Sequence, residues 1–371
     1  MDFDFSDDQK FLKNEARKFL DGRSPVSVVR GVLNDETKAY DAGLWQAIGE
    51  QGWLGAAIPE EHGGLGLGHL ELCVIAEELG RCLAPTPFSS TVYFVAEALM
   101  LAGSDAQKAK WLPKIAAGDV IGCFATVERP GTLTDAQVQA RVEGGKLSGV
   151  KIPVTDGDVA DLAVVLAREG GKTRLFLVEL AGAGVTREVL QTLDPTRSAA
   201  RLTFNGAAAE PLGDAGEGLA LAQGVLDRAA VLLAFEQIGG ADRALEMAKD
   251  YAMNRYAFGR PIGSYQAIKH KLADMYIKTE LARSNAYYGA WALSTGAAEL
   301  PLAAAAARVA ACDAFWYAAK ENLQTHGGMG YTWEVDCHLY YRRAQQLGLV
   351  AGGAKAWKER LVSQLERRNA A

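Results

Sequence analysis

The chain has 371 residues, 49% apolar and 23% charged, a globular balance that excludes a disordered or fibrous protein and is long enough for two or three domains. Its formal net charge of −6 excludes a general nucleic-acid surface, since such surfaces carry a basic stripe, so an anionic ligand must be met by local donors. No run is expected to reach the ~18–20 apolar residues of a membrane span, and Met1-Asp-Phe-Asp-Phe5 lacks the basic start of a signal peptide, which points to a soluble cytoplasmic protein.

In chain order, Ser6-Asp-Asp-Gln9 has the spacing of a capping box and predicts an amphipathic helix to about Phe19; Ser104-Asp-Ala-Gln107 predicts another. Between them Tyr40–Gln51, Leu70–Cys82 and Ser89–Ala102 carry helical apolar spacing, while the glycines of Pro59–Gly68 predict a loop. From about Val120 the period changes. Val150–Val154, Leu162–Ala167, Thr173–Val178 and Ala199–Phe204 read as short strands of a mostly antiparallel sheet. Helical spacing returns after Gly216, through Leu219–Tyr256, Gln266–Leu293, Leu302–Gln324 and a basic amphipathic Ala354–Arg368, whose Trp357, Leu361 and Leu365 stripe suits packing against a neighbouring subunit. The expected architecture is α+β and mainly α: an N-terminal helical domain (1–118), a central antiparallel β domain (119–214) and a C-terminal helical bundle (215–371). With no βαβ alternation, Gly63-Gly-Leu-Gly-Leu-Gly68 is not a dinucleotide fingerprint.

The chemistry-bearing segments are Arg255-Tyr-Ala-Phe-Gly-Arg-Pro-Ile-Gly263 with Gln266, in a break between long helices, and Gln324-Thr-His-Gly-Gly-Met-Gly330, where a glycine turn ends the alanine-rich helix. Both place donors and bare backbone where a phosphate or ribose can approach, although from composition alone glycines as helix stops and Arg255 as a surface cation are the favoured account of the pattern. Cys73, Cys82, Cys123, Cys312 and Cys337 have no CxxC spacing, and the histidines have no zincin pairing, so buried thiols are expected and no metal site.

Four segments in order are similar to the acyl-CoA dehydrogenase family over essentially the whole chain: Ile58-Pro-Glu-Glu-His-Gly-Gly-Leu-Gly66 with Glu77-Glu-Leu-Gly-Arg81; Lys151-Ile-Pro-Val-Thr-Asp-Gly157 with Ala160-Asp161; Arg255 to Gly263; and Gln324 to Gly330. The resemblance implies the three-domain fold with a C-terminal four-helix bundle, an acyl-CoA thioester as substrate, and FAD as cofactor. It implies that Arg255, Phe258, Gln266, Gln324, Gly327 and Gly328 grip the adenine and pyrophosphate half of a neighbouring subunit's FAD, in homodimers, homotetramers or heterotetramers. Thr155 matches a residue that hydrogen-bonds near flavin N5. No nucleic acid or membrane partner is implied.

The chain departs from the family at the reaction centre. A gapless count puts the usual base glutamate at Ala351, in Val350-Ala-Gly-Gly353, and the alternative base at Ala229. No catalytic residue is therefore assigned. Glu236 shares a helix face with Ala229 but lies about 10 Å along the axis at ~1.5 Å per residue; Glu334, Asp227 and Glu128 are the other carboxylates to place. The family's Thr-Glu-Pro-x-x-Gly-Ser-Asp loop is reduced to Val127-Glu-Arg-Pro-Gly-Thr-Leu-Thr-Asp135, and an aromatic residue that covers the flavin is Pro153. The asymmetry points to the base-lacking subunit of a heteromeric acyl-CoA dehydrogenase. A self-sufficient enzyme with a relocated base, a flavin-dependent monooxygenase of the same fold, and a scaffold without flavin stay open.

Overall fold

The computed structural model describes residues 5–131, 133–214 and 217–370. The chain start, Thr132 of the Val127–Asp135 loop, the expected domain boundary at 215 and 216, and residue 371 lie outside the described residues. The elements are α1 (Asp7–Arg23), α2 (Val26–Leu33), α3 (Ala42–Glu50), α4 (His69–Arg81), a π-helix (Ser89–Ala96) running into α5 (Glu97–Ala102), and α6 (Asp105–Ala117). Strands follow: β1 (Gly122–Ala125), β2 (Arg141–Glu143), β3 (Lys146–Thr155), β4 (Leu162–Glu169), β5 (Lys172–Glu179), β6 (Val185–Val189), β7 (Ala199–Ala208) and β8 (Glu210–Leu212). Then come α7 (Gly218–Asn254), a small hairpin of β9 (Tyr256–Ala257) and β10 (Arg260–Pro261), α8 (Gln266–Ser294), α9 (Leu300–His326), α10 (Cys337–Leu349) and α11 (Ala354–Ala370).

Both capping boxes form. Ser6 Oγ accepts the Gln9 N–H at 3.2 Å while Gln9 Oε1 accepts the Ser6 N–H at 2.9 Å, and Ser104 with Gln107 repeats the exchange at 3.3 and 3.0 Å. The sheet runs β6-β7-β3-β2-β4-β5-β8, with β1 also on β4. The sheet is mostly antiparallel, as expected, and mixed in detail, since β1 and β2 both pair with β4 in parallel. Leu162–Ala167 of β4 is buried along its whole length, the run expected of a strand covered on both faces.

Two compact units result. One gathers Met1–Val29, Cys73–Ala84 and Ala230–Ala371; the other gathers Arg30–Leu72 and Pro85–Ala229 and holds the sheet. The helical unit is built on small residues. Ala234, Ala241 and Ala248 of α7, Ala282, Ala286 and Ala290 of α8, and Ala307, Ala311 and Ala318 of α9 are all buried. The apolar window of α7 is long enough by composition to cross a bilayer, which corrects the expectation that no run is; 67% of that window is buried inside the protein, as in a core helix.

At one point α4 and α7 touch through their backbones. A Cβ on Gly80 would overlap the carbonyl of Glu236, and a Cβ on Gly239 would overlap the carbonyl of Glu77. That proximity sets α4's charged end inside the helical unit. Arg81 donates to both oxygens of Glu246 (2.9 and 2.5 Å), Arg17 to both of Glu78 (2.9 and 2.8 Å), and Glu77 receives Lys13 (2.9 Å) and Arg283 (2.6 Å), while Arg283 also pairs with Asp242. Burial alone pushes the Glu77 carboxyl upward, but Arg283 and Lys13 together outweigh it and hold it below its ordinary value. Burial wins for Asp242, whose carboxyl is raised.

Gly80→Ala and Gly239→Ala are each expected to lose about 3 kcal/mol, the upper end for overpacking, because the blocking atom is a backbone oxygen that no rotamer change removes. Gly31→Ala in α2, where a Cβ meets nothing within 4 Å, is expected to gain about 0.5–1 kcal/mol. Urea unfolding midpoints of the three variants check the contrast; equal effects at all three positions would contradict the crossing.

Candidate functional site

The break between α7 and α8 is a hairpin, more than the simple glycine stop read from sequence. Arg260 pairs with Ala257 and Pro261 with Tyr256. Its two tip residues, Phe258 (φ 53°) and Gly259 (φ 79°), both lie in the left-handed region, as a two-residue turn of matching twist requires. Glycine adopts this freely; a bulky aromatic does so against its steric preference. Phe258 is 97% exposed there. The hairpin is braced by Ile262 N–H to the Arg255 carbonyl (2.8 Å), Tyr265 Oη to the Ala257 carbonyl (2.9 Å), and the Arg260 guanidinium 4.1 Å above the Tyr265 ring.

One stack ties this hairpin to the glycine turn at the end of α9. Tyr251, whose carbonyl accepts the Arg255 N–H at 2.8 Å, lies with its ring centroid 4.1 Å from that of His326. His326 is followed directly by Gly327 and Gly328, and its Nδ1 bonds the Asn322 carbonyl at 2.9 Å. That contact fixes the proton on Nδ1, because a carbonyl only accepts. Lys271 of α8 reaches Glu321 of α9 at 2.8 Å, so the start of α8 joins the same end of the unit. Arg255, Phe258, Gln266, Gln324, Gly327 and Gly328 are therefore brought to one end of the helical unit.

The donor set at that end suits an anionic, planar ligand such as FAD. Gly327 has φ 62°, and a Cβ built at Gly327 or Gly328 meets nothing within 4 Å, so bare backbone faces open space. Arg255, Gln266 and Gln324 are exposed, and no carboxylate pairs with Arg255 among the described residues. The fit is that of an edge open to something outside the unit.

Thr155 belongs to the other unit, half-buried at the end of β3 opposite Ala199. Upstream, β3 shifts register against β7 between Lys151 and Val154, where Pro153 has no N–H to give the ladder and Ile152 bonds the Val127 carbonyl instead (2.9 Å). The shift accompanies a fully buried Lys151, whose Nζ lies 2.6 Å from Glu128 Oε1. Glu128 also accepts the N–H groups of Gln139 (2.8 Å) and Ala140 (3.0 Å). A carboxylate holding three donors anchors the loop.

The other candidate carboxylates are placed differently. Glu236 is buried, with Oε1 3.9 Å from Arg343 Nη1; Asp227 is buried; Glu334 is exposed on the turn after α9. Ala229 is wholly buried, and Ala351 is half-buried in a left-handed conformation (φ 62°). Sequence reading missed Tyr251 and the Lys151–Glu128 pair. The one was visible only as an aromatic a turn before Arg255, and the other as a lysine and a glutamate far apart in the chain. It also missed Arg308 and α10. The stripe of α11 was assigned to a neighbouring subunit, but Trp357 is buried in its own chain and donates Nε1–H to the Ala351 carbonyl at 3.1 Å.

Comparison with known proteins agrees on one family. The chain matches the models of the acyl-CoA dehydrogenase N-terminal domain over residues 6–119 and C-terminal domain over residues 216–364. It is 34% identical over 362 residues to acyl-CoA dehydrogenase IpdE2 of Mycobacterium tuberculosis, covering 97% of this chain and 98% of that one. Among solved structures it is similar to the ChsE4-ChsE5 complex from Mycobacterium tuberculosis (TM-score 0.89, 29% identity, 99% of each chain). It is also similar to a Tcur3481-Tcur3483 steroid ACAD (TM-score 0.88, 31% identity, 98% of this chain and 99% of that one).

Glu128→Gln strands a buried ammonium and is expected to cost about 3–5 kcal/mol, whereas Glu128→Gln with Lys151→Met is expected to recover most of that loss. Burial lowers the Lys151 pKa and Glu128 offsets part of the effect. A lysine lowered in the folded state binds its proton later than in the unfolded chain, so the single variant is expected to regain stability as pH rises toward the ordinary lysine range. Denaturant titrations across alkaline pH check this; a double variant no more stable than the single one would contradict it.

Proposed function

The chain belongs to the acyl-CoA dehydrogenase family, oxidoreductases acting on acyl-CoA thioesters, and from that premise we propose that it is the base-lacking subunit of a heteromeric, FAD-containing member. The observation that carries the reading is a contrast. The edge formed by Arg255, Phe258, Gln266, Gln324, Gly327 and Gly328 is complete and open, with Phe258 97% exposed at a strained tip, while both base positions are alanine. A methyl group cannot accept the proton that α,β-dehydrogenation removes beside the thioester carbonyl. Arg255 and the Gly327–Gly328 backbone meet the diphosphate, Gln266 and Gln324 the polar edges of the nucleotide, and Phe258 supplies an apolar face. Thr155 belongs instead to the flavin-ring half that a chain builds for its own flavin, a half otherwise altered at Val127–Asp135 and at Pro153. A bound flavin supplies the redox chemistry. The catalytic carboxylate comes from a partner subunit of the same family, an arrangement in keeping with the paired-chain structures this chain resembles. We place the protein in the cytoplasm, where its five free thiols suit a reducing compartment.

The purified chain, mixed anaerobically with FAD and then with short-, medium- and long-chain and steroid-side-chain acyl-CoA thioesters, is expected to leave the flavin absorbance near 450 nm unbleached (about the usual oxidised-flavin band, set by the cofactor). Bleaching by any thioester would show that the chain carries its own base and would overturn the reading.

A further inference from the structure

Arg308 is among the largest fully buried side chains in the protein. Its guanidinium lies on α9 and has no carboxylate in ion-pair reach among the described residues. It donates from Nη1 to Gln237 Oε1 at 2.5 Å, and from Nη2 to the carbonyls of Leu347 and of Val350, the latter at 2.6 Å. Gln237 is itself fully buried; its Nε2 lies 3.4 Å from Cys312 Sγ, and its Oε1 accepts from Arg308 and, at 3.7 Å, from the Cys312 thiol. A dry cation without a counter-charge is unfavourable unless dipoles surround it. Here the dipoles are the orphan carbonyls at the C-terminal end of α10, which carry partial negative charge.

Those carbonyls belong to the turn that presents residue 351. Ala351 sits at φ 62° with no glycine's freedom to do so, and such a conformation persists only where the surroundings hold it. Two side chains grip the turn: Arg308 from α9, on the carbonyls before Ala351, and Trp357 from α11, whose Nε1–H bonds the Ala351 carbonyl at 3.1 Å. We propose that Arg308 is a positioning residue, holding the Val350–Gly353 turn in the geometry that fixes where the side chain of residue 351 stands. The inference deepens the proposed reading of position 351 as a vacated base site: the platform is maintained while its carboxylate is absent.

The full chain labelled with 5-fluorotryptophan gives a fluorine resonance for each tryptophan, and that of Trp357 is assigned with Trp357→Phe. Arg308→Met is expected to move the Trp357 resonance while leaving that of Trp45 in place, since Trp45 bonds the Gly118 carbonyl in the other unit (3.0 Å). Arg308→Lys, which keeps a donor to the carbonyls, is expected to restore most of the position. Adding Ala351→Gly to Arg308→Met is expected to restore it too, because glycine holds a positive φ unaided. A Trp357 resonance unmoved by Arg308→Met, or moved equally by Arg308→Lys, would overturn the proposal. If Arg308→Met does not fold, Arg308→Gln, too short to hold the Leu347 and Val350 carbonyls, takes its place, with a moved Trp357 resonance expected and an unmoved one overturning the proposal. No partner or thioester enters this experiment, so its failure leaves the subunit reading standing, and a self-sufficient chain would sink that reading without touching Arg308.

Discussion

The backbone contact between Gly80 of α4 and Gly239 of α7 governs the helical unit. With no Cβ on either helix at the crossing, the carbonyls of Glu77 and Glu236 come within contact of the opposite backbone, and α4's acidic and basic end enters the unit. Its charges are then met from three other helices, by Lys13 and Arg17 on α1, Glu246 on α7 and Arg283 on α8, which itself pairs with Asp242; Tyr340 on α10 adds a hydrogen bond from its Oη to the Arg81 carbonyl at 2.9 Å. The Glu77 and Glu78 carboxylates are buried, so a shift at the crossing that parted them from Lys13, Arg283 and Arg17 would be costly. The orientation of α7 follows from this contact. So does the place of its C-terminal end, where Tyr251 stacks on His326 and the hairpin joins the glycine turn.

The same helix α7 carries Ala229 in its first third and Arg255 just past its end, and the two positions have opposite fates on the proposed reading. At the end, every residue of the nucleotide-facing edge is in place and the hairpin tip tolerates a left-handed phenylalanine. At Ala229 a methyl fills the position of a base. Around Ala351 two side-chain tethers, from Arg308 and Trp357, hold a left-handed backbone that carries only a methyl. A chain that only scaffolds has no physical reason to hold an aromatic in strain on an open surface, whereas one that reaches into a neighbour's nucleotide does.

How much was legible in the sequence depended on whether local signals and tertiary packing agreed. Ser6 with Gln9 and Ser104 with Gln107 announced their helices because capping is a contact between near neighbours. Helix α2 was missed because valines and an interior glycine argue against a helix in isolation, and only burial of Val29 and Val32 overrides them. Helix α10 was missed because one of its inward positions is Arg343, buried by a tertiary network no periodicity reveals. β1 spans only four residues and joins β4 in parallel, a pairing between distant segments. The site shows the same division. Arg255 to Gly263 and Gln324 to Gly330 were readable as motifs, while their joining through Tyr251 and His326 was not. Glu128 could be placed only once Lys151 was seen beneath it.

The central claim is that this chain completes a flavin site whose base resides on another chain. The most direct measurement is native mass spectrometry of the affinity-tagged chain purified at its natural level from its own host, with flavin content read from the same spectra. The account predicts an assembly containing a second, different acyl-CoA dehydrogenase-family chain, with FAD in fewer copies than there are chains. A homo-oligomer carrying one FAD for every chain would contradict it.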